Sequence, residues 1–258
     1  MINIHPSQPR KHTMFSYHQG APATFNLSEP LHILQLDASA RTGLARKDPH
    51  GSQSRAMNHL FANTWQQARP QDRITYRDVG LYPPSALSPA WLEAVFAADG
   101  LHPSEASNRL QESDVLIQEL RQSDVLLIAT PMYNYGPPAG LKAWLDNIVR
   151  INQTFAIQAQ EHGLQHVGLL ADKPRTTIIL SAHGEGGFGP GQPLAGINHL
   201  HGQITAVLNL IGITDIHVIA QEYEEVGGEM LAQSVAAAET AILELVTQLS
   251  MFTPALTA

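Results

Sequence analysis

Three stretches of this 258-residue chain concentrate side chains that can hold an anion or a planar ligand. The first, DASARTGLARKDPHGSQSR (37–55), carries Ser39, Ser52 and Ser54 beside the cations Arg41, Arg46, Lys47 and Arg55. Hydroxyls and cations ahead of a helix that starts near Ser54 suit a phosphate, because first-turn amides lack partners and the positive end of the helix dipole faces them. The same serines also suit plain N-capping, and a cap can serve an anion as well. The second, PMYNYGPPAGLKAW (131–144), places Tyr133, Asn134 and Tyr135 between a proline and a Gly-Pro-Pro helix launch. Two rings and an amide there fit contact with a flat ligand. The third, SAHGEGGFGPG (181–191), has five glycines. Such a loop lets backbone amides come close to a flat or anionic ligand, with a flexible surface lid as the alternative.

Other chemistries find less support. The chain has no cysteine, which excludes disulfides, thiolate metal sites and a cysteine nucleophile. Its formal net charge of −8 argues against a general nucleic-acid binder, which needs a basic face. No Walker or nucleophile-elbow motif occurs. Gly184, Gly186 and Gly189 spell G-x-G-x-x-G, but the loop follows a fourth strand, and Pro190 and Pro193 delay the next helix. The pairs His162/His166 and His199/His201 lack the context of a zinc site and read as ordinary polar histidines; no metal is expected.

The elements that must position these loops alternate. Strands are predicted at Leu31–Leu36, Ile74–Val79, Asp124–Thr130, Thr176–Leu180 and Ile213–Ala220. Helical stripes follow around 54–68, 110–120, 141–149, 195–211 and 230–249, and 154–170 reads as an insertion or short hairpin around Gly163. VLLIA and TTIIL do not alternate, so both their faces should be covered, as in a doubly wound α/β parallel sheet with helices on both faces. Ligands then bind beyond the carboxyl ends of the strands. Residues 1–30 hold four prolines and no period, and read as a disordered arm or a segment reaching a partner subunit; 31–250 read as one domain. They lack the basic start and apolar block of a signal peptide, and no apolar run approaches the roughly 20 residues of a membrane helix. A cytoplasmic protein without nucleic-acid or membrane partners is expected.

LQLDASA, Ser52-Gln53-Ser54, PMYNYGPPAGLKAWLDNI, SAHGEGG and GITDIHVI, in this order over 31–249, closely resemble the FMN-dependent NADH-azoreductase and NADH:quinone oxidoreductase family. The resemblance implies a flavodoxin-like fold with a five-stranded parallel sheet, tightly but noncovalently bound FMN, NADH or NADPH as donor, and a homodimer. It implies that Ser39, Ser52, Gln53 and Ser54 hold the FMN phosphate. Met132, Tyr133, Asn134 and Tyr135 would line the isoalloxazine, and Ser181, His183 and Gly184 would face its pyrimidine side. Where the family reads Ser-Arg-Gly-Gly, this chain has Ser181-Ala182-His183-Gly184. The first loop is also longer than is usual, and Ile157 stands where an aromatic often shapes the substrate pocket.

The implied reaction passes two electrons from NAD(P)H to quinones or azo compounds in one pocket, by a ping-pong sequence. No side chain is required as a nucleophile; amides of His183–Gly187 would stabilise negative charge on the flavin, and Tyr133, Tyr135, Phe155 and Phe188 are the candidates for stacking on planar substrates. An FMN-binding electron carrier or regulator, and a flavin-free NAD-binding dehydrogenase, are the alternatives.

Overall fold

The computed structural model describes residues 14–96, 103–160 and 163–251. Its strands are β1 (Phe15–Gln19), β2 (His32–Asp37), β3 (Arg73–Asp78), β4 (Val125–Pro131), β5 (Phe155–Gln160), β6 (Gly163–Gly168), β7 (Thr176–Ala182) and β8 (Asp215–Gln221). The helices of two turns or more are α1 (Gln53–Ala68), α2 (Pro89–Phe96), α3 (Pro103–Gln122), α4 (Ala139–Ile148), α5 (His199–Ile211) and α6 (Gly228–Met251). Every residue of β4 and β7 is buried, which is why VLLIATP and TTIILSA show no alternation. One face of the sheet is covered by α1 and α6 through Phe61, Trp65, Ile242 and Val246. The other is covered by α3, α4 and α5 through Leu120, Trp144, Leu145 and Leu208.

The main sheet runs β1-β8-β7-β4-β2-β3. Its five parallel strands are the five expected, in the flavodoxin-like order. After β2 the chain steps outward to β3, then crosses back to β4. Between these two steps the carboxyl ends of β2 and β4 open a crevice.

The sixth strand corrects the reading of 1–30 as an arm. β1 pairs antiparallel with β8, from Phe15↔Ala220 to Gln19↔Ile216. Phe15 and Tyr17 pack toward the α5 side, and Phe25 and Leu31 are also buried. Five residues are too few for an alternation to stand out in sequence, and the strand is fixed by the edge of β8 it satisfies. The folded unit therefore begins before residue 31; residues 1–13 and His162 lie outside the described residues. The connection from β3 to α3, which carries Pro83, Pro84 and Pro89, also holds α2, whose Trp91 and Ala94 pack on Leu110. The hairpin expected around Gly163 is β5–β6, separate from the main sheet. By length and composition α6 could cross a membrane, contrary to the reading of apolar runs. Its apolar stripe, Ala238, Ile242, Leu245 and Leu249, packs on the sheet instead.

Candidate functional site

The long first loop closes on itself before it reaches α1. Ser52 N–H donates to Gly43 O (3.2 Å) and Ala45 N–H to Ser52 O (3.1 Å), so the extra residues form a small lobe that returns the chain to the helix start. Gly51 is required at that closure, because a Cβ there would lie 2.3 Å from the Leu44 backbone. Ser52 is the N-cap, with its Oγ accepting from Arg55 N–H at 3.3 Å. Gln53 and Ser54, the first two helical residues, have no intrahelical acceptor for their amides. Of the loop cations, Arg41 lines the cleft and pairs with Glu224 (2.5 Å). Arg46 turns to Glu239 and to Gln53 Oε1.

Arg55 does not face the ligand space. Its buried guanidinium donates to the carbonyls of Arg41 (2.7 Å) and Ser39 (2.8 Å), to Asp78 and to Asp37. It therefore fastens the backbone that carries Ser39. Burial acts against the Asp78 carboxyl, but the Arg55 hydrogen bond and the Leu81 amide hold it below the usual carboxylate range. Burial also pushes Asp37 up, against the Asn58 hydrogen bond and the Arg55 charge.

At the end of β4, Met132 N–H donates to Ala182 O (2.9 Å), and Tyr133 and Gly136 exchange two backbone hydrogen bonds of 3.0 Å. Asn134 (φ 48°) and Tyr135 (φ 66°) both lie in the left-handed region, as the central pair of a type I′ turn. A tyrosine there is strained, and it is held because Tyr135 O accepts from His199 N–H at 3.0 Å, the first residue of α5. The turn thus presents Tyr133, Asn134 and Tyr135 to solvent at the crevice.

The glycine loop after β7 is packed, not free. Gly187 and Phe188 amides donate to Glu222 Oε1 (3.0 and 3.1 Å), while His183 O and Gly184 O accept from Glu224 and Glu225 amides. Burial raises the Glu222 carboxyl, and the two amides counter it. The glycines admit close neighbours: a Cβ at Gly186 would meet the Tyr223 ring and one at Gly189 would meet Phe15.

A cleft of about 270 Å³ lies where these loops meet, lined by Ser39, Ser52, Gln53, Met132, Tyr133 and Gly184, with Arg41, Glu224 and Glu225 at its rim. Six expected site residues therefore come together. Ser54 is fully buried beneath them, its Oγ 3.1 Å from Ser52 Oγ, and can contribute only its amide. Ser181 is turned away, its Oγ 2.8 Å from His201 Nε2. His183 is buried behind the loop against Phe15, Phe188 and His201, and does not replace an arginine in the cleft. Phe188 is buried under Tyr135 and held edge-on by His183, so it offers no face to a substrate. Phe155 packs at a tilt against His166 in the hairpin and does not line the cleft. Gly187 N–H is engaged by Glu222, which leaves the amides from Gly184 to Gly186 as the free part of that loop's donor set. Burial lowers His183 to about 4 and His201 to about 3, so both rings are neutral.

Glu224 and Glu225 were missed as site residues. The signal was available: β8 is also a parallel strand, so the acidic run QEYEE at its carboxyl end had to reach the same crevice. The G-x-G-x-x-G match is in letters only, because α1, not the segment after Gly189, directly serves the first parallel strand.

Comparison with known proteins shows the family and the fold. The profile of the family described as flavodoxin-like fold matches residues 32–246. An FMN-dependent NADH:quinone oxidoreductase 2 of Idiomarina loihiensis is 38% identical over 221 residues, covering 86% of this chain and 91% of the relative. An FMN-dependent NADH:quinone oxidoreductase 1 of Pseudomonas fluorescens is 40% identical over 200 residues, covering 75% and 91%. Among solved structures, an FMN-dependent NADH-azoreductase of Bacillus anthracis in complex with FMN shares the fold, with a TM-score of 0.71 at 19% identity, over 85% of this chain and 99% of that one.

Proposed function

The chain belongs to the flavodoxin-like family of FMN-dependent NADH:quinone oxidoreductases, and on that premise we propose that it passes two electrons from NADH or NADPH to quinones or azo compounds. The observation that carries this reading is the donor set of the cleft. Hydroxyls and free first-turn amides stand at one end, an aromatic turn in the middle, and backbone amides at the other. Such a set fits a phosphate joined to a flat ring system, as in FMN.

When bound, FMN supplies the redox chemistry, and the protein supplies binding, orientation and electrostatics. Ser39, Ser52 and the amides of Gln53 and Ser54 would hold the phosphate, and Arg41 is the loop cation that lines the same cleft. The Met132–Tyr135 turn would line the ring system through its backbone, and its strained geometry keeps Tyr133 and Tyr135 outward, where they could meet planar substrates. Amides of Gly184–Gly186 would offer donors to the edge of the ring system. Both substrates use one pocket in turn, which gives ping-pong kinetics. A homodimer is supported by the β5–β6 hairpin, which stands off the main sheet and exposes Ile157 and Leu164.

The test is the purified protein itself. It should be yellow, bleach rapidly when mixed with NADH without oxygen, recover its colour on adding a quinone, and give parallel double-reciprocal lines. A protein that binds FMN and does not bleach would be a carrier or regulator. One that takes up no FMN would overturn the reading altogether.

A further inference from the structure

Away from the cleft, at the β1 edge of the sheet, three donor groups converge on one point. Asp215 and His217 are two apart on β8, so both point to the α6 face, and His18 on β1 stands directly opposite His217 in the register. The two imidazoles stack with centroids 4.2 Å apart. His18 Nε2 lies 2.5 Å from Asp215 Oδ1, His217 Nε2 lies 3.6 Å from the same oxygen, and the three donor atoms all fall within 4.8 Å of one another. Asp215 is only 3% exposed. Its second oxygen is already engaged: Oδ2 accepts from the Thr176 hydroxyl and from Ala23 N–H. That division aims Oδ1 at the two rings, as an outer-shell partner does for a metal ligand. A groove of about 230 Å³ beside His18 and His217 admits water, and Glu244 lies along it.

We propose that His18, Asp215 and His217 bind a divalent transition-metal ion of the zinc class, which fastens the N-terminal strand to the edge of the sheet. Two imidazoles and one carboxylate suit zinc, cobalt or nickel, whereas calcium and magnesium take oxygen donors. Bonds of about 2.0–2.1 Å to a tetrahedral ion place donor atoms roughly 3.3 Å apart. The His217–Asp215 separation is close to this, and the His18 ring needs to withdraw from hydrogen-bond distance by somewhat under ~1 Å. Water from the groove completes the coordination. The sequence offers no spacing motif for such a site, because one ligand comes from a strand nearly two hundred positions earlier and reaches it only through the β1–β8 pairing.

The experiment uses the tag-free, FMN-loaded full chain. Titration calorimetry with zinc chloride in a non-chelating buffer should give one ion per protomer, and cobalt chloride should produce a visible absorption beyond the flavin bands. His18→Gln and His217→Gln should each weaken zinc binding at least ~10-fold, and Thr176→Val, which removes one of the two donors to Asp215 Oδ2, by about 10-fold. His18 is half-exposed on an edge strand, so its variant tests the site even where the buried substitution fails to fold. His59→Gln, an exposed histidine elsewhere, should leave binding unchanged. Zinc uptake unaltered in the His18→Gln/His217→Gln double variant, or no uptake by the unmodified protein, would overturn the proposal. FMN content and NADH bleaching in the same preparations report separately on the reading of the cleft.

Discussion

At one end of the cleft, Arg55 is buried and every face of its guanidinium is engaged by Asp37, Asp78, Tyr76 and two loop carbonyls. At the other, His183 is buried and neither ring nitrogen has a hydrogen-bond partner among the described residues; the nearest carboxylate, Glu222, is 4.0 Å from Nδ1. Both are polar residues in an apolar setting. The first stays charged because its partners are also buried, so the network fixes the loop that carries Ser39. The second escapes the cost of a buried charge by staying neutral, though not that of two unpaired nitrogens, and works as an aromatic spacer between Phe15, Phe188 and His201. The phosphate end is therefore specified by charge and hydrogen bonding, and the opposite end by shape.

The contrast breaks most visibly at Arg55. Arg55→Met should cost about 3–5 kcal/mol, because two buried carboxylates lose their counter-charge. Arg55→Lys should not restore it, since an ammonium cannot serve the two carbonyls and both carboxylates in the same plane. Urea unfolding measures both. Wild-type midpoints would mean that the network does not hold the loop.

Paired glycines sharpen the comparison next. A Cβ at Gly80 would lie 2.2 Å from Ser39 O and 2.8 Å from Ala38 C, both backbone, so Gly80→Ala should cost about 1–3 kcal/mol and weaken FMN binding. The atoms nearest to a Cβ at Gly184 all belong to the side chain of Glu225, which can swing aside. Gly184→Ala should cost under ~1 kcal/mol. Thermal melts and FMN titration of the pair decide this, and equal losses would show that the two ends are equally rigid. Ser52→Ala follows, with about 1 kcal/mol of stability lost with the cap and a parallel loss of FMN affinity.

The same division explains what could be read from the residues. VLLIA and TTIIL declared a covered parallel sheet, and a parallel sheet puts its ligand at the strand ends, so the serine loop, the Tyr-Asn-Tyr turn and the glycine loop were legible together. Ser52, Gln53 and Met132 come together at one cleft because helix starts and strand exits fix the backbone locally. Side-chain roles did not follow. Whether His183 and Phe188 point into the cleft or behind it depends on β1, a five-residue strand whose partner lies at the other end of the chain. Likewise, nothing local to Arg55 tells that Asp78, on the neighbouring strand, would claim it from a phosphate.

His183→Leu gives the smallest effect at neutral pH and tests the shape-specified end directly. Burial lowers His183 to about 4 and, with the neighbouring His183 as a lesser cause, His201 to about 3, against an ordinary value near 6.5. The unfolded chain therefore takes up protons below about pH 6.5 that the folded protein refuses until about pH 4 or lower. Folding stability rises with pH across this window, and is lost as pH falls from about 6.5 toward 4, by up to about 1.4 kcal/mol per pH unit for each ring. His183→Leu should remove one such contribution and flatten the acid slope accordingly. At pH 7 it should leave stability within about 1 kcal/mol or raise it, because no hydrogen bond is forfeited. His201→Leu should instead lose stability at pH 7, since that ring bonds Ser181 and Asn198. Urea midpoints from pH 4.5 to 7.5 separate the two. An unchanged slope in His183→Leu would mean that this ring is charged in the folded protein, and that the two ends of the cleft are built alike.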